Sequence, residues 1–258
     1  MTWTTRPRSK FGPLAAITAG QGPCVMLLHG VGLRAEAWAP QIDTLASAGF
    51  SVIAPDMLGH GGSAAAGSSL AEFVVPLSAL LNQPTVVIGH SMGAMLALEL
   101  AAAHPEHIKG VAALNAIFRR SDTAKHAVQA RAAALDGNGI PDPEDTLTRW
   151  FGAKPSPARH ACHEWLTNVD PQGYRAAYGV FAQADGPSDA SLAQISCPAL
   201  FLTGADEPNS TPQMSRNMAE RVKNGRAVVI EGAAHMVPMT HSDTVNAQLV
   251  RFAKECLT

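Results

Sequence analysis

The chain of 258 residues has no apolar run long enough to cross a bilayer; stretches such as that from Cys24 to Leu28 fall far short of the roughly 20 residues a spanning helix needs. It also lacks a basic stripe. Lys and Arg total 19 against 21 Asp and Glu, for a net charge of −2, so nucleic acid is excluded as a partner class. The opening residues, MTWTTRPRSKFGP, are basic but carry no apolar core, so no secretory leader is expected. Cys24, Cys162, Cys197 and Cys256 are scattered, with no CxxC and no metal-type spacing. Cys24 and Cys197 each open a strand-like run and read as buried small hydrophobes. A reduced, cytoplasmic protein is expected. There is no HExxH, no Cys/His cluster, no GxGxxG and no P-loop lysine, so neither metal nor cofactor is expected. No internal repeat is present, and the oligomeric state is left open.

What is present is an alternation. CVMLLH (24 to 29), SVIAPD (51 to 56), TVVIGH (85 to 90) and KGVAALNA (109 to 116) read as strands. Helical stretches separate them, around Trp38 to Ala48, from Ser69 to Leu81, and from Met92 onward. Strands apolar on both faces, alternating with helices, mean a mostly parallel central sheet covered on both sides. From 117 to 190 no comparable strand appears. Helical segments are broken there by PDP, KPSP, DPQG and DGPSD, and Trp150, Phe151, Trp165, Tyr174, Tyr178 and Phe181 concentrate in them. This stretch reads as a helical cap inserted into a core formed by 1–116 and 191–258. The alternation resumes with CPALFLTG (197 to 204), a helix near Pro212 to Val222, AVVIEGAAH (227 to 235) and a last helix from Ser242 to Cys256.

GHSMG (89 to 93) stands where a strand gives way to a helix. A serine hydroxyl is a poor nucleophile unless a base lies within reach and the group is exposed to substrate. A sharp strand-to-helix turn supplies the exposure at the carboxyl end of the sheet. Glycines two residues to either side remove the collisions such a turn creates, and the following helix aims its N–H groups at developing negative charge.

With that context the chain resembles the α/β-hydrolase family over nearly its whole length. LLHGVG (27 to 32) resembles the family's oxyanion loop, DMLGHGGS (56 to 63) its D-x-x-G-H-G-x-S loop, and GHSMG its nucleophile elbow. LFLTGADEPNSTP (200 to 212) resembles the acid loop and EGAAHMVPM (231 to 239) the histidine loop. The resemblance implies a Ser–acid–His chain order, with Ser91 as nucleophile, Asp206 as acid and His235 as base. Glu207, one residue off the pattern, is expected to face solvent, and His241 to be solvated or capping. Some relatives carry the acid after the sixth strand, where this chain offers Asn115 and no carboxylate. His29 and His60 are expected to fix their loops through hydrogen bonds, and the side chain of His90 to point away from the nucleophile. The oxyanion donors implied are the backbone N–H groups of Val31 and Met92.

TLTRWFG, DPQGYRAAYGVFAQAD and ALNAIF are similar to segments of 3-oxoadipate enol-lactonases and related carboxylesterases, whereas His29 departs from the oxyanion loop usual there. A small-molecule ester, lactone or enol-lactone is therefore the expected substrate, with no membrane partner. Carbon–carbon bond hydrolysis or cofactor-free perhydrolysis on the same triad is the alternative, and a hydrolase-like receptor without turnover a third. If the substrate carries a carboxylate, Arg34, Arg119, Arg120 and Arg149 are candidate partners, against the reading of ordinary solvated charges. Trp150 and Tyr178 are candidate pocket residues, against a role in packing.

Overall fold

The computed structural model describes residues 3–257. Met1, Thr2 and Thr258, which belong to the expected core, lie outside the described residues. The strands are β1 (Ser9–Phe11), β2 (Leu14–Ala19), β3 (Cys24–Leu28), β4 (Ser51–Pro55), β5 (Thr85–His90), β6 (Ile108–Leu114), β7 (Ala199–Gly204) and β8 (Gly225–Ile230). They form one eight-stranded sheet in the order β1-β2-β4-β3-β5-β6-β7-β8. From β4 to β8 every pairing is parallel; β1 and β2 add an antiparallel hairpin at one edge. That hairpin was not expected from the sequence. LAAITA is dominated by small residues and lacks the β-branched density of the central strands, so only its pairing with β4 makes it a strand.

The central strands are buried on both faces, and alternate residues feed two apolar layers. Val25, Leu27, Val86, Ile88, Leu200 and Leu202 point to one layer. There they meet Ile42 and Leu45 of α1 (Ala39–Ser47) and Leu249 and Phe252 of α11 (Ser242–Leu257). Met26, Leu28, Val87 and Phe201 point to the other layer. That layer is built from α2 (Leu70–Ser78), α3 (Met92–Ala103) and α9 (Pro212–Ala219), while α10 (Val237–Thr240) is one short turn before α11. A layer of helices on each face is what strands apolar on both sides require.

Between β6 and β7 the chain runs through α4 (Asp122–Ala133), α5 (Glu144–Phe151), α6 (Pro157–Asn168), α7 (Pro171–Gln183) and α8 (Asp189–Gln194). Side-chain oxygens of Ser121, Ser156, Asp170 and Ser188 accept from backbone N–H groups in the first turns of α4, α6, α7 and α8, which sets where these helices begin. A third apolar cluster joins Leu147, Cys162, Trp165 and Leu166 of these helices to Leu33, Ala37 and Met239. Trp165 is buried there, with Trp3 edge-on at 6.3 Å. Trp165 is thus a packing residue that ties α6 to the sheet-side loops.

Candidate active site

Ser91 sits at the tip of β5, immediately before α3, with φ 57° and ψ −118°. That backbone is strained for a non-glycine residue and is held by its surroundings. Ser91 N donates to Leu114 O at 2.9 Å, and Ala94 N closes the first helical turn onto Ser91 O. A Cβ on Gly89 would strike the Gly93 carbonyl, and one on Gly93 would strike the Leu28 and His29 carbonyls. Glycine at these two places lets the turn close against β3. A Cβ on Gly30 would stand 3.1 Å from Ser91 Cβ, so the loop after β3 lies directly beside the serine.

His235, on the loop after β8, and Ser91 line one cavity of about 340 Å³, together with Val31 and Asn115. The Nδ1–H of His235 donates to Glu207 Oε2 at 2.6 Å. Glu207 is fully buried in its side chain and also accepts from Asn115 Nδ2 and from the backbone N–H groups of Asn209 and Ser210. Burial alone pushes its carboxyl up, but the charge and hydrogen bond of His235 and the two backbone donors outweigh this and bring it down to about 2.

The carboxylate against the imidazole is thus Glu207 and not Asp206, the residue expected there from sequence. Asp206 is exposed; its backbone N–H is tied to Ala233 O at 2.9 Å, and the next residue is the one that turns inward. The extra methylene of glutamate reaches the imidazole from that position. Glu207 is therefore not solvent-facing. The signal was available in the DE pair, since either carboxylate follows the same strand end.

The flanking histidines hold loops. Met57 N donates to His29 Nε2, and Gly32 N to His60 Nε2, both at 2.9 Å. Each ring must then carry its proton on Nδ1, which donates to Gly30 O and Leu58 O respectively. Burial lowers both, His60 to about 3, so they stay neutral structural donors and acceptors. His90 is held at about 3 by burial and by the neighbouring His235; its Nε2–H donates to His235 O at 2.8 Å. Beneath the loops lies an ionic cluster. Arg8 pairs with Glu36 and Asp56 at 2.6 Å each, and Asp56 also accepts from Ala35 N and Gly62 N.

That cluster accounts for Arg34, whose guanidinium is spent on Glu36 and Thr5 outside the cavity. Arg119, at φ 55°, pairs with Asp189 and likewise does not line the cavity. Two of the four expected carboxylate partners are thus displaced. A buried Glu36 two residues away captures one, and a left-handed turn places the other against α8. Arg120 and Arg149 do line the cavity, and so does Arg131, which sequence reasoning did not single out. Arg131 Nε donates to Tyr178 Oη at 3.0 Å; Arg149 bonds Thr146, and Arg120 bonds the carbonyls of Phe181 and Ala184. Among the described residues none of the three forms an ion pair with a carboxylate, although Asp142 and Asp145 also reach the cavity wall. Trp150, Tyr174, Tyr178 and Phe181 complete the wall.

The buried carboxylates predict an acid-sensitive fold. Glu36 and Glu207 are each lowered from 4.5 to about 2; burial raises Glu36, but hydrogen bonds to Arg34 and Arg8 prevail. In this range the unfolded chain binds more protons, so their contribution is complete above about pH 4.5 and falls as pH drops toward 2. Urea titrations at pH 7, 4 and 3 should show stability decreasing stepwise. Equal midpoints at the three pH values would contradict the buried ion clusters.

A family model for the alpha/beta hydrolase fold matches residues 23–242. The chain is 42% identical over 235 residues to the (E)-2-((N-methylformamido)methylene)succinate hydrolase of Acinetobacter baylyi, covering 88% of this chain and 89% of that one. It is 32% identical over 246 residues to the pimeloyl-[acyl-carrier protein] methyl ester esterase of Chromobacterium violaceum, covering 87% and 91%. Among solved structures it superposes on the enol-lactonase from Burkholderia xenovorans LB400 with a TM-score of 0.83 at 22% identity, covering 96% of this chain and all of that one, a likeness of fold.

Proposed function

The chain belongs to the α/β-hydrolase family, and from that premise we propose that it is a serine hydrolase cleaving an ester, lactone or N-acyl bond in a small substrate that carries carboxylates. The observation that carries this reading is the set of three arginines, Arg120, Arg131 and Arg149, on the wall of the cavity that holds Ser91 and His235, of which Arg131 and Arg149 bond, among the described residues, only neutral oxygens of Tyr178 and Thr146. Arg131 and Arg149 are exposed and form no ion pair among the described residues, and Arg120 is part-buried with Asp185 nearby; a guanidinium free to turn into the cavity can grip a carboxylate through two hydrogen bonds. The Acinetobacter baylyi relative is named for a succinate, a dicarboxylate, bearing an N-acyl group. Helices α4 to α8 act as the cap that brings these cations over the serine.

In the reaction, Ser91 Oγ attacks the acyl carbon while His235 Nε2 takes the hydroxyl proton. Glu207 holds the Nδ1–H tautomer and balances the imidazolium. The N–H groups of Met92 and Val31 receive the oxyanion; Met92 is the first residue of α3, so its N–H has no partner within the helix. The imidazolium then protonates the leaving oxygen or nitrogen, the acyl group stays on Ser91, and water, deprotonated by His235, releases the acid.

The test compares a (N-acylaminomethylene)succinate and a dicarboxylic acid monoester with the corresponding neutral diesters. The dianionic or monoanionic substrate should be favoured in kcat/KM by at least about a hundredfold, since each charged hydrogen bond contributes about 1.5–3 kcal/mol. Arg131→Gln and Arg149→Gln should each raise KM for the carboxylate substrate about tenfold or more and reduce that preference. A preference for the neutral diester would defeat the carboxylate assignment and leave only the esterase chemistry.

A further inference from the structure

Among the described residues the imidazole of His235 has two aromatic neighbours. His90 lies at 4.9 Å between centroids, tilted by 54°, and is itself anchored through the His235 carbonyl. Trp150 lies at 5.4 Å with an interplanar angle of only 28°, a stacked pair. The two contacts have different origins. His90 belongs to β5 and the rigid sheet, whereas Trp150 is near the end of α5, among the helices inserted after β6. Around the ring the remaining polar neighbours are Glu207, from the loop after β7, and Asn115, whose Nδ2 lies 3.4 Å from Ala234 O.

We propose that Trp150 is a positioning residue for the base, so that the inserted helices complete the catalytic machinery as well as the pocket wall. The inference rests on His235 acting as base in the proposed reaction. A single hydrogen bond from Nδ1 to Glu207 fixes one point of the ring but leaves rotation about that line open. A flat indole stacked on the ring, with the His90 ring also in contact, restricts that freedom and keeps Nε2 directed into the cavity. The indole face also attracts a cation within about 6 Å of its centroid, and the imidazole becomes one when Ser91 gives up its proton. The stack is therefore stronger in the state that follows proton transfer than before it, which is the condition for raising turnover. Arg149, adjacent on the same turn of α5, lines the same cavity.

The experiment uses p-nitrophenyl acetate, a neutral ester whose small acyl group needs little of the far pocket wall, with Trp150→Ala and Trp150→Phe. Trp150→Ala should lower kcat at least tenfold with KM changed less than threefold, and Trp150→Phe should restore kcat to within threefold of the parent. In parallel, the proton NMR resonance of the His235 Nδ1–H, assigned by its loss in His235→Ala, should be sharp in the parent and in Trp150→Phe but broadened in Trp150→Ala. An unchanged resonance, or a change in KM alone, overturns the proposal and leaves Trp150 as pocket wall. Full activity in Ser91→Ala or His235→Ala would instead overturn the serine-hydrolase reading; the resonance tests the bracing of the ring independently of turnover.

Discussion

Replacing Ser91 by alanine is expected to leave a folded protein whose ester turnover is at least a thousandfold lower. The substitution removes one partly exposed oxygen and nothing that holds the turn together. The strained φ of 57° is imposed by the bond from Ser91 N to Leu114 O and by the close approach of Gly89 and Gly93 to neighbouring carbonyls, all of which alanine preserves. The melting temperature should therefore move by no more than a few degrees. Without the hydroxyl no acyl-enzyme forms, and what survives is the contribution of binding and oxyanion donors to direct attack by water. Loss of a nucleophile of this kind costs up to about 10⁶ in kcat elsewhere, so a thousandfold is a conservative floor. Circular dichroism with a p-nitrophenyl acetate assay measures both halves of the expectation. Turnover like the parent's in a folded Ser91→Ala protein removes Ser91 from the mechanism.

The second large effect separates two adjacent carboxylates. Glu207→Gln should reduce kcat by about 10⁴, the loss seen when a triad acid becomes an amide and the wrong histidine tautomer is favoured. A glutamine keeps an acceptor for the N–H groups of Asn209 and Ser210 but loses the charge that balances the imidazolium. Asp206→Asn, by contrast, should stay within threefold of the parent, because its side chain is exposed and only its backbone N–H, bonded to Ala233 O, is structural. Steady-state kinetics on the pair decides the matter. If Asp206→Asn collapses activity and Glu207→Gln does not, the acid expected from the loop pattern is restored and the hydrogen bond at 2.6 Å is without catalytic meaning.

The sheet was legible because its central strands carry their signal in composition. CVMLL, TVVIGH and ALFLTG are apolar at every position or nearly so, and only burial on both faces explains that. The serine turn was legible for a different reason, since glycine at two fixed spacings answers a steric demand that no other residue meets. The hairpin of β1 and β2 was not legible, because its stability comes from pairing with β4 and its own residues are small and unremarkable for strands. The carboxylate that bonds His235 was missed by one residue because chain position after a strand fixes a loop but not which of two neighbouring side chains turns inward. That choice was made by a bond from Asp206 N to Ala233, across the loop of another strand. The arginines show the same limit on a larger scale. Arg34 is captured by Glu36, buried beneath the loop, and Arg119 by Asp189, seventy residues on, whereas Arg131 reaches the cavity from the last turn of α4. Cations are sorted by their nearest unpaired carboxylate, and sequence order carries little of that information.

Asn115 has a consequence for how such sites diverge. At φ 50° and almost fully buried, it stands at the end of β6 with its amide 3.3 Å from the Glu207 carboxylate that bonds the base. Two loops from neighbouring strands thus converge on one imidazole. A single change of Asn115 to aspartate would set a second carboxylate beside the first, and a pair this close shares one proton and one negative charge. A lineage passing through that state keeps a charged partner for its histidine throughout, and the older carboxylate is then free to drift. The end of β6 and the loop after β7 are thus two places from which a carboxylate could meet the same imidazole.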